Sequence, residues 1–303
     1  MVIGCGGIGG LYGGKLAAAG HDVSFVVRSD AAALRDGGLR VDSPLGDVVL
    51  APGSFGVATD PADLGEADVV VVSLKSTENG ALPALLPPLA GPGTTVAVFQ
   101  NGLGVAAAAR AAAPAAAAVV GAMCFVCSVR RAPGHVEHQD YGAVTLGSYA
   151  DASDTAAGAI ADDLRAAGIE ATVHPDLTTA RWRKLLWNVP FNALTTLLDA
   201  GTDELLASPS GRALVVSIME EVVAGGRACG AAIGPADVDD MIRMTEAMVP
   251  YRPSMALDAA AGRPLEHEAI HGAPARAAAA AGMPMPRVEQ LHLALDVLDR
   301  RRG

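Results

Sequence analysis

The chain has 303 residues, of which 51% are hydrophobic and 18% charged, and it carries a formal net charge of −11 at pH 7. That length admits one large domain or two ordinary ones, each with a substantial apolar core. The acidic balance argues against nucleic acid or a membrane surface as partner, and the longest apolar runs are broken by Gly, Pro or charge, so no membrane span is expected.

Met1–Ile3 is an apolar start that stops at Gly4-Cys5-Gly6-Gly7-Ile8-Gly9, a GxGxxG pattern. Ile8–Ala19 then reads as a helix closed by Gly20, and His21–Val27 as a second strand. Strand, glycine loop, helix and strand in that order are the dinucleotide-binding arrangement. The glycines let backbone approach a pyrophosphate, and the helix N-terminus offers N–H groups and a positive dipole end. Gly4, Gly6, Gly7, Ile8 and Gly9 are therefore candidate cofactor contacts. Nicotinamide sites that take NAD place Asp or Glu at the end of the second strand, whereas here the sequence is Val26-Val27-Arg28-Ser29 and the first carboxylate is Asp30. A guanidinium at Arg28 suits a 2′-phosphate, and Ser29 could add a hydroxyl. Charge-assisted hydrogen bonds contribute about 1.5–3 kcal/mol each, enough for a roughly ten- to hundredfold preference for NADP. Only three residues precede the glycine loop, where a strand ordinarily has about five or six, so either the native start is expected several residues upstream or the shortened strand is tolerated.

Ala67–Leu74 is a continuous apolar run, the mark of a parallel strand buried on both faces, and it ends at Lys75. Thr94–Phe99 is another such strand, followed by Gln100-Asn101-Gly102-Leu103-Gly104. Ligands in such sheets bind beyond the carboxyl ends of the strands, so Lys75 and Asn101 are placed where a nucleotide would lie. The alanine-rich stretch Ala106–Ala118 reads as helix around a break. Val119–Val129 reads as a strand that puts Cys124 and Cys127 on opposite faces, and no second cysteine pair completes a metal site. Few cysteines without a disulfide pattern fit a reducing cytoplasm. Val136–Tyr149 reads as antiparallel strands closing the sheet, with His135 and His138 structural.

Beyond about residue 175 the pattern turns helical. The expected helices are Arg181–Leu198, Gly211–Gly230, Ala236–Met248, Arg263–Ala281 and Pro286–Arg302. In the first of these, Lys184, Asn188 and Asn192 recur at i, i+4 and i+8 and stack along one face, with Thr195 projecting the same way. The remainder is Trp, Leu, Val and Phe almost all round, as in a helix buried on most sides. A lysine and two amides in that setting need partners, whether as an internal polar network or as a substrate site. Pro190 removes one backbone hydrogen bond and should kink the helix near Leu186. Ser254 and Glu266 follow, and a carboxylate at Glu266 could meet Lys184 across a helix pair, holding the ammonium charged and aimed. These readings give an α/β protein: a doubly wound NADP-binding domain over residues 1–174 and an all-helical domain over 175–303.

Taken in order, Gly4–Gly9, Arg28, Lys75, Asn101-Gly102-Leu103-Gly104, Trp182-Arg183-Lys184-Leu185, Asn188, Asn192, Ser254-Met255, Glu266 and Gly282-Met283-Pro284-Met285-Pro286 resemble the ketopantoate reductase (2-dehydropantoate 2-reductase) family along nearly the whole chain. The resemblance implies an N-terminal Rossmann-type domain, a helical C-terminal domain for substrate and dimerisation, and an active site in the cleft between them. It implies NADPH as hydride donor to the C2 ketone of 2-dehydropantoate, a small anionic 2-keto acid, giving (R)-pantoate for pantothenate and coenzyme A synthesis. Lys184 would be the general acid and Glu266 the carboxylate that orients lysine and substrate. Asn101 would position cofactor and substrate, Asn188 and Asn192 would hold substrate oxygens, and Ser254 the substrate carboxylate. Arg28, with Lys75, would read the 2′-phosphate. No metal is called for, and a homodimer is the default for this architecture. The chain departs from the family's pattern after Glu266, where it reads His267-Glu268 and His271-Gly272, and at Leu265, where a hydroxyl residue is common. Those departures bear on the substrate more than on the reaction class. The alternatives are a reductase of another 2-keto acid and a non-catalytic NADP-binding sensor, which would not need Lys184 and Glu266 together. A 3-hydroxyacid-type dehydrogenase also pairs such domains, but the Ser254-to-Glu266 segment argues against it.

Overall fold

Short valine-rich runs punctuated by glycine build one large mixed sheet in the first part of the chain. A computed structural model describes residues 1–150 and 154–302. It divides the chain into two compact units, Met1–Gln100 with Val105–Leu177, and Asn101–Gly104 with Thr178–Gly303.

The first unit opens as β1 (Val2–Ile3), α1 (Gly7–Ala18), β2 (Ser24–Val26) and α2 (Ala31–Gly37). It continues through β3 (Leu39–Asp42), β4 (Val48–Leu50), β5 (Gly56–Ala58), β6 (Val69–Val72), α3 (Leu82–Leu85), β7 (Thr95–Val98) and α4 (Val105–Ala112). It closes with β8 (Ala118–Ala132), β9 (His135–Ser148), α5 (Asp154–Ala166) and β10 (Ala171–Val173). The strand order is β4-β3-β9-β8-β7-β6-β1-β2-β5, with β10 also paired to β9. The Rossmann-type half, β5 to β8, is parallel throughout, whereas β8–β9 and β3–β4 pair antiparallel. Val70, Val71 and Val72 on β6 and Val96, Ala97 and Val98 on β7 are at most 5% exposed, as central strands covered on both faces must be.

The long β8–β9 hairpin does not close the sheet, because β3 and β4 add beyond it. Strands β3, β4 and β5 were not expected from the sequence: each has three or four residues, too few to establish an alternation. The expected helix over Ala106–Ala118 ends at Ala112, two residues ahead of Pro114. Cys124 and Cys127, expected on opposite faces, are both buried, and a bulge between Phe125 and Val126 interrupts the alternation that separates them. His135 and His138 brace the edge: His135 Nε2 lies 2.7 Å from Asp42 Oδ2, and His138 Nδ1 2.8 Å from Ser43 Oγ.

The second unit is helical: α6 (Leu177–Leu198), α7 (Thr202–Ala207), α8 (Pro209–Ala228), α9 (Pro235–Ala247), α10 (Ser254–Ala260), α11 (Ala273–Ala280) and α12 (Pro286–Arg300). At its centre α6 is buried on nearly every side from Thr179 to Thr195, apart from Arg183 and the half-buried Lys184, and it runs through Pro190 without interruption. Trp187 Nε1–H satisfies itself on Thr245 Oγ1 at 3.0 Å. The sequence suggested one helix over Arg263–Ala281; the chain instead ends α10 at Ala260, where Arg263 N–H closes onto Asp258 O at 2.9 Å. Gly262 adopts φ +67° and Pro264 lacks a donor, so an α-helix cannot continue there. The segment resumes as a π-helix, Glu268–Gly272, that runs directly into α11.

Candidate active site

In the first unit the glycine loop turns tightly from β1 into α1. Gly4 has φ +94°, and its N–H donates to Val26 O at 2.9 Å. A methyl group at Gly9 would collide with the Gly4 carbonyl and the Ser73 hydroxyl, so only glycine admits this approach of helix to strand. Ser73 Oγ–H donates to Ile3 O at 2.8 Å, and Ser128 Oγ–H to Gly7 O at 2.9 Å; both hydroxyls prop the loop. The first turn of α1 has no side-chain cap and no acidic residue, and the space beside Gly6 is open. Such a helix end suits a phosphate, so the loop fits the dinucleotide expected of it. Cys5, within the loop, has its thiol pushed up to about 12 by burial and by the Asp30 carboxylate, against the Arg130 guanidinium.

Arg28 follows β2 with its side chain 88% exposed, and Nη1 lies 3.3 Å from Glu78 Oε2. Ser29, expected to add a hydroxyl toward a phosphate, donates instead to Asp30 Oδ1 at 2.8 Å. Asp30 is buried and ion-paired with Arg130, a residue the sequence did not single out. Lys75 stands at the end of β6 just ahead of a 3₁₀ turn, Ser76–Ala81, and its carbonyl accepts from Glu78 N–H at 2.9 Å. Gln100, at the end of β7, ties the two strand ends by donating to Leu74 O at 3.0 Å and to Asn79 Oδ1 at 2.7 Å.

In the second unit, the period of α6 brings its polar residues into one buried row. Asn188 is 5%, Asn192 2% and Thr195 1% exposed. Thr195 is committed to its own helix, donating to Phe191 O at 2.6 Å. Lys184 Nζ donates to Asn101 Oδ1 at 2.7 Å, a partnership spanning 83 positions of sequence. Asn101 reaches it because Asn101–Gly104, although it follows β7 in sequence, belongs to the helical unit. Leu103 N–H donates to Ala269 O at 2.8 Å, and a methyl at Gly102 (φ +91°) would come within 2.6 Å of the Ala269 side chain. The amide of Asn192 faces the start of α10, where Met255 N–H lies 3.4 Å from Asn192 Oδ1 and Ser254 is the first helical residue. Glu266 is 4% exposed, two residues ahead of the π-helix. His271, within the π-helix, is fully buried, with Nε2 2.9 Å from Val189 O on α6. A lysine ammonium aimed by an amide oxygen, on the helix face that also carries two buried amides, can hold an oxyanion and deliver a proton to it.

Residues 1–151 match the family described as ketopantoate reductase PanE/ApbA, and residues 176–299 match its C-terminal domain. A 2-dehydropantoate 2-reductase of Nostoc sp. is 40% identical over 99% of this chain and 95% of its own. That of Halobacterium salinarum is 32% identical over 90% and 89%. Among solved structures, 2-dehydropantoate 2-reductase from Geobacter metallireducens superposes with a TM-score of 0.93 at 38% identity, covering 98% of this chain and 99% of that one.

Proposed function

The chain belongs to the ketopantoate reductase family, and on that premise we propose that it reduces the C2 ketone of 2-dehydropantoate to (R)-pantoate with NADPH, in pantothenate and coenzyme A synthesis. The observation that carries the reading is the 2.7 Å hydrogen bond from Lys184 Nζ to Asn101 Oδ1, on the same face of α6 as Asn188 and Asn192.

Bound NADPH supplies the hydride. The backbone of Gly4, Gly6, Gly7, Ile8 and Gly9 would hold its pyrophosphate, with Arg28 and Lys75 on the 2′-phosphate. Because Asp30 is occupied by Arg130, the carboxylate nearest the end of β2 is already engaged, which favours NADP over NAD. As the ketone carbon takes up the hydride, negative charge grows on its oxygen, and Lys184 stabilises that charge and then gives it a proton. Asn101 keeps the ammonium aimed. Asn188 and Asn192 hold substrate oxygens, Ser254 at the start of α10 binds the carboxylate, and Glu266 orients lysine and substrate. In this reading residues 1–174, apart from Asn101–Gly104, serve as the cofactor domain, and 175–303 with those four residues as the substrate and dimerisation domain. The enzyme works in the cytoplasm as a homodimer; sedimentation at micromolar concentration reads its mass directly.

The first test follows NADPH oxidation by absorbance with ketopantoate, NADH being run alongside. Rapid turnover with NADPH and little with NADH is expected. Binding of NADPH without turnover on ketopantoate or on other branched 2-keto acids points to a cofactor sensor. Turnover confined to acids lacking the 4-hydroxyl moves the assignment to another 2-keto acid, since a site built to hydrogen-bond a hydroxyl rejects the analogue without it by about 10⁴-fold.

A further inference from the structure

Two backbone contacts made by the π-helix converge on the proposed site. The Ala269 carbonyl holds Leu103 N–H at 2.8 Å and so anchors the segment that carries Asn101. Two residues on, His271 Nε2 reaches Val189 O at 2.9 Å, on the turn of α6 between Asn188 and Asn192. The segment also begins two residues after Glu266, whose carbonyl accepts from Ile270 N–H at 3.1 Å. One short element thus touches the backbone beside Asn101, Asn188 and Glu266.

We infer that His271 is a positioning residue, holding α6 to the π-helix through Val189 and thereby fixing where Lys184 meets Asn101. The inference rests on the proposed role of Lys184. Pro190 has no N–H, so the Leu186 carbonyl loses its helical donor in the turn that carries Asn188; His271 braces the same stretch of α6 from outside, on the Val189 carbonyl. Inserted π-turns are themselves uncommon and concentrate at functional sites. His271 has no exposed surface, so it acts through its neighbours rather than by touching substrate. Burial pushes its pKa down to about 4, with His292 and His267 acting the same way against the backbone carbonyls of Val189 and His267. The ring is therefore neutral near pH 7, and its geometry puts the single proton on Nε2, facing Val189 O.

His271→Gln keeps an N–H donor near the position of Nε2; His271→Phe fills the space without one; His271→Asn is too short to reach Val189. Two readouts separate positioning from mere stability. In the cofactor-free protein, hydrogen exchange of the peptide spanning 101–104 should quicken in the Phe and Asn variants and stay near wild type in the Gln variant. With ketopantoate and NADPH, kcat should fall about ten- to hundredfold in Phe and Asn, the cost expected of a misplacement near 1 Å. KM for NADPH should hold, and Gln should recover most of kcat. Wild-type exchange and kcat in the Phe variant, or equal losses in Gln and Asn, overturn the inference. Should the Phe variant fail to fold, the Gln and Asn pair decides alone. Absence of turnover in the wild type sinks the proposed reaction, while the exchange experiment still reports on His271.

Discussion

Lys184 is the residue on which the proposed chemistry turns. Its replacement by Ala is expected to lower turnover by roughly 10²–10⁴, the range for a positioned general acid. Steady-state rates with ketopantoate measure this, and near-normal turnover would remove Lys184 from the role. Asn101→Ala tests the aiming of the ammonium. A hydrogen bond to a charged group contributes about 1.5–3 kcal/mol, so kcat/KM should drop roughly ten- to hundredfold. Cys5 makes a separate prediction: with its thiol pushed up to about 12, it should resist alkylation at pH 8 while the less buried Cys229 reacts first. Peptide mass spectrometry reads the order, and early labelling of Cys5 would show the loop to be more open. At this scale the sequence was partly legible. The i, i+4, i+8 row on α6 announces itself through helical period. The Lys184–Asn101 bond does not, because only the fold brings positions 83 apart together. Ser73, Ser128, Gln100 and Arg130 leave no pattern either, since a hydroxyl or amide beside a distant backbone carbonyl has no sequence period.

Among the elements, the segment from Arg263 to Ala280 shows where period alone misleads. Its apolar spacing suits a helix, yet Gly262 and Pro264 stop one and a π-helix begins another. A single added residue per turn shifts the face without erasing the periodicity. Packing against this turn should make Gly102 intolerant: Gly102→Ala forces a side chain into φ +91° and against Ala269. It is expected to cost about 1–3 kcal/mol, read as a shifted urea midpoint; an unchanged midpoint would mean that the loop moves aside freely. The π-helix also carries an acid sensitivity. His271 ordinarily titrates near 6.5 when unfolded but near about 4 when folded. Between those values the unfolded chain binds the extra proton, so stability present above pH 6.5 is lost as pH falls toward about 4, by up to on the order of 3 kcal/mol. Unfolding free energies against pH should show that slope in the wild type and a flatter one in His271→Gln. Identical slopes would assign the acid limb to other groups.

For the molecule as a whole, the same acid window coincides with loss of charge. The net charge is −11 at pH 7 and the isoelectric point about 5.0. Self-repulsion therefore vanishes while the helical unit is weakening, and proteins near zero net charge tend to associate. Turbidity should peak near pH 5, and His271→Gln should narrow the peak on its neutral side; a wild type that stays clear through pH 5 would contradict this. Fold class was readable because strand, glycine loop, helix and strand recur at the right intervals and because strands stop near residue 175. The mixed character of the sheet was not. Strands of three residues such as β4 and β5 are defined by their neighbours' hydrogen bonds rather than by their own side chains.

The allotment of Asn101–Gly104 to the helical unit means that the polypeptide passes from one unit to the other three times. The architecture is thus interleaved, unlike two beads joined by a string. Severing the chain after Leu177 would yield a helical fragment stripped of the amide that meets its lysine and of the strand-end backbone that Ala269 holds. The helical piece cannot then be swapped as a cassette for its counterpart in a relative, since the transplant would have to carry four residues embedded in the first unit's sequence.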